Sequence, residues 1–207
     1  MKLHLGCFNQ PVSGWHNTDI TPHIFLSKIP FAGRLLKLTG KIPGYRYQDY
    51  LEGVFKNVHY LDVAKKFPFA DGSVSAVFSS HIIEHLTRAV ALHMLKETYR
   101  VLRPGGVCRV VAPSLDWALS LYDGGEPSGM LKAIFEHDHS NPKNRHQWMY
   151  NGIGLVSIMR EAGFANAEER DFQQGNLPDI ELLDNRPGNS IYVEGSRVRG
   201  NLDSTRN

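Results

Sequence analysis

Cysteine is scarce in this chain: among 207 residues only Cys7 and Cys108 occur. Two thiols cannot build a disulfide framework or a four-thiolate zinc site, and the reading is a protein of the reducing cytoplasm. Long apolar runs are missing as well. No run of about 18 apolar residues exists to cross a bilayer, and the opening MKLHLGCFNQ lacks the apolar stretch of a secretory signal. Charge of one sign does not dominate, with 23 Lys and Arg against 21 Asp and Glu. That balance excludes a generally basic nucleic-acid binder, and no DNA-recognition motif is present. Internal repeats and low-complexity tracts are absent. What remains is ordinary globular composition, 42% hydrophobic and 21% charged. A chain of this length buries about 70% of its unfolded surface and needs no metal or disulfide staple to fold.

Periodicity divides the chain into alternating short strands and helices. Residues 2–6 and 15–20 read as strands, with only the eight residues 7–14 between them. A parallel crossover takes about a dozen residues, so either its helix is vestigial or the two strands pair differently. Further strands are expected at 57–61, 74–80, 107–112, 165–172 and 190–194. Helices are expected at 87–102, 129–137 and 151–162. The first of these carries an apolar stripe of Leu92, Leu95, Tyr99 and Leu102, stopped by Pro104-Gly105-Gly106. Residues 21–48 are punctuated by proline and glycine, leaving room for one or two brief helices. Residues 196–207 are polar and read as a frayed tail. The alternation predicts an α/β fold with helices on both faces of a sheet, whose ligands sit beyond the carboxyl ends of the strands at the switch point.

Those strand ends carry the candidate site. Gly6 and Cys7 follow the first strand, where glycine lets backbone approach a ligand. Asp19 closes the second, where an acid accepts both hydroxyls of a ribose. Asp62, after the third, can accept from an adenine amino group. Ser79, Ser80 and His81 end the fourth.

With "KLHLGC...GWHNTDI", "FPFADGSVSAVFSSHIIEHL", "LKETYRVLRPGGVCRVVAPSL", "HQWMY" and "LVSIMREAGF", the chain resembles the class I S-adenosylmethionine-dependent methyltransferases, of the small bacterial methyltransferase-11-like type. The resemblance runs from residue 2 to about residue 195. It implies a Rossmann-like, doubly wound sheet of about seven strands, mostly parallel with an antiparallel last strand. It implies one domain over 1–195, with an insertion at about 21–56. S-adenosylmethionine is the implied cofactor: Gly6 and Cys7 against its methionine part, Asp19 on the ribose, Asp62 and Val63 flanking the adenine, and Ser79, Ser80 and His81 bordering the methyl-donating centre. The implied acceptor is a small molecule, a sugar nucleotide or a lipid-linked glycan, as in surface-polysaccharide synthesis, methylated on oxygen.

Departures from the family pattern are local. Phe8 and Asn9 follow Cys7 where further glycines are usual. His4 stands where an acid often holds the cofactor's amino group, and Ser75 where an Asp opens the fourth strand. These departures support an alternative, a catalytically silent methyltransferase-like binding or scaffold protein.

Histidines supply the proton acceptors. His146 is the first candidate, His81 the second; His137 and His139, with Asp138 to orient a neighbour, complete the set. His81-x-x-Glu84-His85 also has the spacing of inverted zinc peptidases. On a helix its two histidines would share one face, with Glu161 as a third ligand, which gives a remote zinc-hydrolase alternative. The preferred reading assigns no metal. Finally, residues 21–48 carry Lys28, Arg34, Lys37, Lys41 and Arg46 and no acid, among Phe25, Phe31, Leu35 and Leu38. Such a segment predicts either a lid with a solvated basic rim or peripheral contact with the inner face of the membrane.

Overall fold

Strand β1 (Lys2–Leu5) is buried on both faces, as a central parallel strand must be. In the computed structural model, which describes residues 1–135 and 145–198, it sits third among the seven strands of the described sheet. On one side lie β2 (His16–Asp19) and then β3 (Val58–Tyr60). On the other lie β4 (Val74–Ser80), β5 (Leu102–Pro113), β7 (Ser190–Ser196) and β6 (Glu168–Arg170). β3 through β5 pair in parallel, and β7 runs antiparallel between β5 and β6. This is the expected mostly parallel, Rossmann-like sheet. Strand order reverses between β1 and β4, so the switch point falls where Gly6 meets Ser79, Ser80 and His81.

The short link from β1 to β2 resolves as parallel pairing without a crossover helix. Residues 6–15 fold into successive turns, Gln10 N–H donating to Cys7 O at 2.8 Å and Trp15 N–H to Val12 O at 3.2 Å. The buried Asn17 amide replaces the helix as organiser. Its oxygen accepts from Val12 N–H at 2.8 Å and its nitrogen donates to the carbonyls of Val12 and Trp15, each at 3.0 Å.

Helix α4 (Arg88–Val101) begins at Thr87, whose hydroxyl accepts from Val90 N–H. It buries Ala91, Met94, Leu95, Thr98 and Val101 against the sheet. Leu102 does not close that stripe as expected; it opens β5. Pro104-Gly105-Gly106 is likewise no separate loop but a bulge in β5: Val74 pairs with Leu102 while Ala76 pairs with Val107. Gly105 adopts φ +77 there, and its N–H donates to Arg197 O at 2.8 Å. Helix α7 (Gly152–Glu161) is capped by Asn151 and buries Leu155, Ile158 and Met159 in the same core. α5 (Leu115–Ser120), α6 (Ser128–Phe135) and α8 (Ile180–Leu183) complete that half. Ser196 closes β7, and Arg197 caps the carbonyls of Arg100 and Leu102 at 2.8 and 2.7 Å. The rest of the expected tail, 199–207, lies outside the described residues.

Between β2 and β3 the chain makes three helices, α1 (His23–Leu26), α2 (Ala32–Leu38) and α3 (Gly44–Leu51), and a 3-10 turn at Val54–Asn57. An aromatic knot pins them to the sheet edge. His23 stacks on the buried Phe55 at 5.0 Å and meets the Tyr50 hydroxyl at 2.7 Å. Arg46, paired with Asp49 at 2.5 Å, lies 4.3 Å above the Phe8 ring. No helix among the described residues is long and apolar enough to cross a membrane.

One buried charge fixes the far side of the sheet. Arg109, in the middle of β5, is 0% exposed. Its guanidinium grips both Asp184 oxygens at 3.0 and 2.5 Å and donates to the carbonyls of Gln174 and Asp171. It also stacks 5.1 Å from Tyr192. Asp184 and Glu194 in turn accept from the backbone of Gln173 and of Asn176 and Leu177. The loop from 171 to 186 is thereby held over the strand ends.

Candidate functional site

A cleft of about 620 Å³ opens at the switch point, within the range of small-molecule sites. Gly6, Asp19, Asp62, Val63 and His81 line it together. The left-handed Gly6 (φ +63) lies so close to Ile82 that a Cβ would fall 2.1 Å from Ile82 Cδ1, so a side chain there would be strained by the backbone and would displace Ile82. Asp19 is held rigidly: one oxygen accepts from Thr21 N–H at 2.7 Å, the other from Phe8 N–H at 3.0 Å. Burial raises the Asp19 pKa, against the lowering effect of the Thr21, Phe8 and Ile20 amides. Ile20, Leu61, Val63, Ile82 and Leu86 form apolar walls.

Cys7 and Ser80 line not this cleft but an adjoining cavity of about 410 Å³, shared with His4, Asn9, Gln10, Asn185 and Arg186. Gly6 and His81 border both spaces. Ser79 lines neither; it is buried, and its hydroxyl makes no hydrogen bond among the described residues. Burial pushes the Cys7 thiol up to about 12, leaving it an inert packing group. His4 is pushed down to about 4 by burial, against a raising contact with Asn17. It is therefore neutral at pH 7, with no negative charge to offer an ammonium group.

His81 is the hinge of the site. Its backbone is left-handed (φ 53), and its N–H donates to Val111 O at 2.9 Å. Its ring stands between Ser190 Oγ, 3.1 Å from Nε2, and Glu84 Oε1, 3.4 Å from Nδ1. It lines a third cavity, of about 460 Å³, with Trp117, Lys132, His146, Arg186 and Asn189. His146 is thus brought into the site, its Nδ1 3.1 Å from Ile134 O and its ring 5.1 Å from that of His85. His137, Asp138 and His139 lie outside the described residues.

The zinc-hydrolase arrangement is not formed. His81 precedes a short 3-10 turn, Ile83–His85, rather than lying on a helix with His85. Glu161 is exposed and paired with Arg88 at 2.5 Å. A positive φ at His81 cannot occur inside an α-helix, which is why the i, i+4 expectation fails. Several lining residues were not foreseen: Ile20, Ile82 and Leu86, Trp117 on the unforeseen α5, and Lys132, Asn185, Arg186 and Asn189. Trp117 and the Asn185-Arg186-Pro187-Gly188-Asn189 loop offered the only local signal, an aromatic and a cation in segments rich in turn residues.

Known proteins share part of this sequence and its fold. A family model described as a methyltransferase domain matches residues 48–110. The chain is 30% identical over 137 residues to a malonyl-acyl-carrier-protein O-methyltransferase of a Marinomonas species, a match covering 66% of this chain and 43% of that protein. It is 29% identical over 125 residues to the ubiquinone/menaquinone biosynthesis C-methyltransferase UbiE of Roseobacter denitrificans, covering 54% and 47%. The match thus spans less than half the length of either curated relative. Among solved structures, an S-adenosylmethionine-dependent methyltransferase from Archaeoglobus fulgidus superposes with a TM-score of 0.56 at 14% identity, covering 94% of this chain and 85% of that one.

Proposed function

We propose that this chain is a member of the class I S-adenosylmethionine-dependent methyltransferase family, an enzyme that transfers a methyl group from S-adenosylmethionine to an oxygen of a small-molecule or glycan acceptor. The observation that carries the reading is the convergence of Gly6, Asp19, Asp62, Val63 and His81 on one cleft at the switch point. When bound, S-adenosylmethionine supplies an electrophilic methyl group on a sulfonium.

The residues fit that cofactor unevenly. The nucleoside end has a fixed carboxylate, Asp19, for the ribose hydroxyls and apolar walls for the base, with Asp62 beside them. The amino-acid end has no acid at His4. Amide side chains from Asn9, Gln10 and Asn185, with Arg186, line the space there instead. They offer carbonyl acceptors to an ammonium and a guanidinium to a carboxylate.

The cavity shared by His81 and His146 is the acceptor site of this reading. Its lining carries Lys132 and Arg186 and, among the described residues, no acid, beside Trp117. Two cations suit the phosphates of a sugar nucleotide or a lipid-linked sugar, and an indole face suits a sugar ring. His81 takes the hydroxyl proton, its ring oriented by Glu84 and Ser190. His146 lines the same cavity and positions the acceptor. Binding energy and orientation supply the rest of the rate enhancement.

Residues 21–56 extend this reading to a membrane surface. Phe31 and Leu38 are 81% and 76% exposed, with Phe25, Ile29 and Leu35 also open to solvent. Lys28, Arg34, Lys37 and Lys41 are exposed among them. Apolar side chains ringed by lysine suit an anionic bilayer interface, at about 1 kcal/mol per basic residue. Lys37→Glu with Lys41→Glu abolishes sedimentation with phosphatidylglycerol vesicles; sedimentation unchanged by both refutes the contact.

A second reading, a non-catalytic binding protein of the same fold, draws on one observation: Ile82 packed over Gly6 narrows the cleft at its centre. Transfer of tritiated methyl from S-adenosylmethionine to a panel of nucleotide sugars and lipid-linked glycans separates the two. The enzyme labels at least one acceptor, and His81→Ala loses about 100-fold in rate. No label on any acceptor, with cofactor bound, supports the second reading.

A further inference from the structure

The Glu84 carboxylate is buried without the partners a buried charge needs. Glu84 is 1% exposed, and neither of its oxygens accepts a hydrogen bond among the described residues. An ionised carboxylate removed from water at such a position is costly unless a cation balances it. The groups nearest to it are imidazoles, that of His81 with its Nδ1 3.4 Å from Oε1 and that of His85 with its Nε2 at 3.9 Å. His85 follows it on the 3-10 turn, and His146 comes from the segment that returns across the strand ends. Ligand atoms of Glu84, His85 and His146 lie within 4.8 Å of one another.

Backbone contacts hold this cluster together, so it does not depend on the side chains finding each other. Gln147 N–H and Trp148 N–H both donate to Glu84 O, at 2.7 and 3.1 Å, and the Gln147 side chain donates to His85 O at 2.7 Å. Leu115 N–H donates to Tyr150 O at 2.8 Å, tying the same segment to the end of β5. Segments whose contacting residues, such as His85 and Gln147, lie 62 positions apart in the chain are thereby fixed around one carboxylate.

We infer that Glu84, His85 and His146 bind a divalent first-row transition metal of the zinc type at the rim of the donor cleft. Two imidazoles and one carboxylate suit such an ion. His85 lines the donor cleft and His146 the acceptor cavity, so the ion would sit between the two. An acceptor hydroxyl that bound the ion would become more acidic, beside the His81 ring that takes its proton. That last role rests on the methyltransferase reading; the site itself does not. The ligand set also differs from the peptidase spacing, since His146 stands where His81 was expected.

The test titrates chelator-stripped chain with zinc chloride, and with cobalt chloride as a spectroscopic stand-in. One equivalent of either metal binds, and cobalt develops a visible ligand-field spectrum. Glu84→Gln and His146→Ala each weaken binding at least 10-fold, while His59→Ala on β3 leaves it unchanged. His146→Gln, at an exposed-side ligand, checks the result should Glu84→Gln fold poorly. Absence of stoichiometric metal in the folded wild type, or variants that bind as wild type does, overturns the site. Calorimetry with S-adenosylhomocysteine on the same samples separates the two claims. Metal without cofactor binding sinks the transferase reading alone; cofactor without metal binding sinks the metal site alone.

Discussion

Two buried clusters of charge sit on this sheet, and they are built in opposite ways. Around Arg109 every strong donor and acceptor is matched: the guanidinium meets Asp184 and two carbonyls, and both carboxylates collect backbone amides. Around Glu84 the carboxylate has imidazoles at 3.4 and 3.9 Å and no hydrogen bond among the described residues. The first arrangement closes on itself and leaves nothing for a ligand to add. The second leaves a buried charge that a ligand can complete. A satisfied network reads as architecture and an unsatisfied one as a site.

The largest effect that tests this contrast lies at Arg109. Arg109→Met strands Asp184 and Glu194 as unpaired buried acids, and the expected loss is about 3–5 kcal/mol in urea unfolding. A loss under about 1 kcal/mol would mean that the network is not structural. Next comes His4, a buried group with a single polar partner, Asn17 at 3.3 Å. Burial holds its folded pKa at about 4 against an ordinary 6.5. Between those values the unfolded chain binds a proton that the folded chain refuses. Stability is therefore full above pH 6.5 and falls by about 3 kcal/mol as the pH drops to 4. His4→Gln flattens that slope; an unchanged slope assigns the pH dependence elsewhere. The smallest effect is expected at Glu84. In metal-free protein Glu84→Gln removes an uncompensated charge and shifts stability by no more than about 1 kcal/mol, in either direction. A loss as large as that of Arg109→Met would erase the distinction between the clusters.

The two clusters also differ in how far the sequence announced them. Strand ends are legible because each combines an apolar run with a turn or polar residue, and that pattern points to Gly6, Asp19, Asp62 and His81. Helices α4 and α7 were legible from period and caps, Thr87 and Asn151 standing where their side chains now accept. Arg109 was not: within VCRVVA it looks like one polar residue on a strand, and its partner Asp184 lies 75 positions away. Glu84 and His85 stand together in the sequence, but their helical spacing misleads in a segment that turns through the left-handed His81. The contact of His146 with His85 leaves no periodic trace, because the two lie far apart in the chain. Cys7 and Ser80 stand at strand ends yet line the adjoining cavity, a division that the strand pattern alone does not make.

The segment at 21–48, between β2 and β3, shows the same limit from another direction. Its basic and apolar composition was plain, as was the absence of acids from 21–48. Its attachment was not: Arg46 turned inward to Asp49 and the Phe8 ring, leaving the other four cations outside. Composition counts charges, whereas packing decides which remain available.

The central claim is that Asp19 and its neighbours form a cofactor cleft, and calorimetry with S-adenosylhomocysteine tests it most directly. The account predicts one site per chain, with Asp19→Asn weakening binding about 10- to 100-fold through loss of charge-assisted hydrogen bonds to the ribose. No heat of binding at millimolar ligand, or an Asp19→Asn variant that binds as tightly as the wild type, would contradict it.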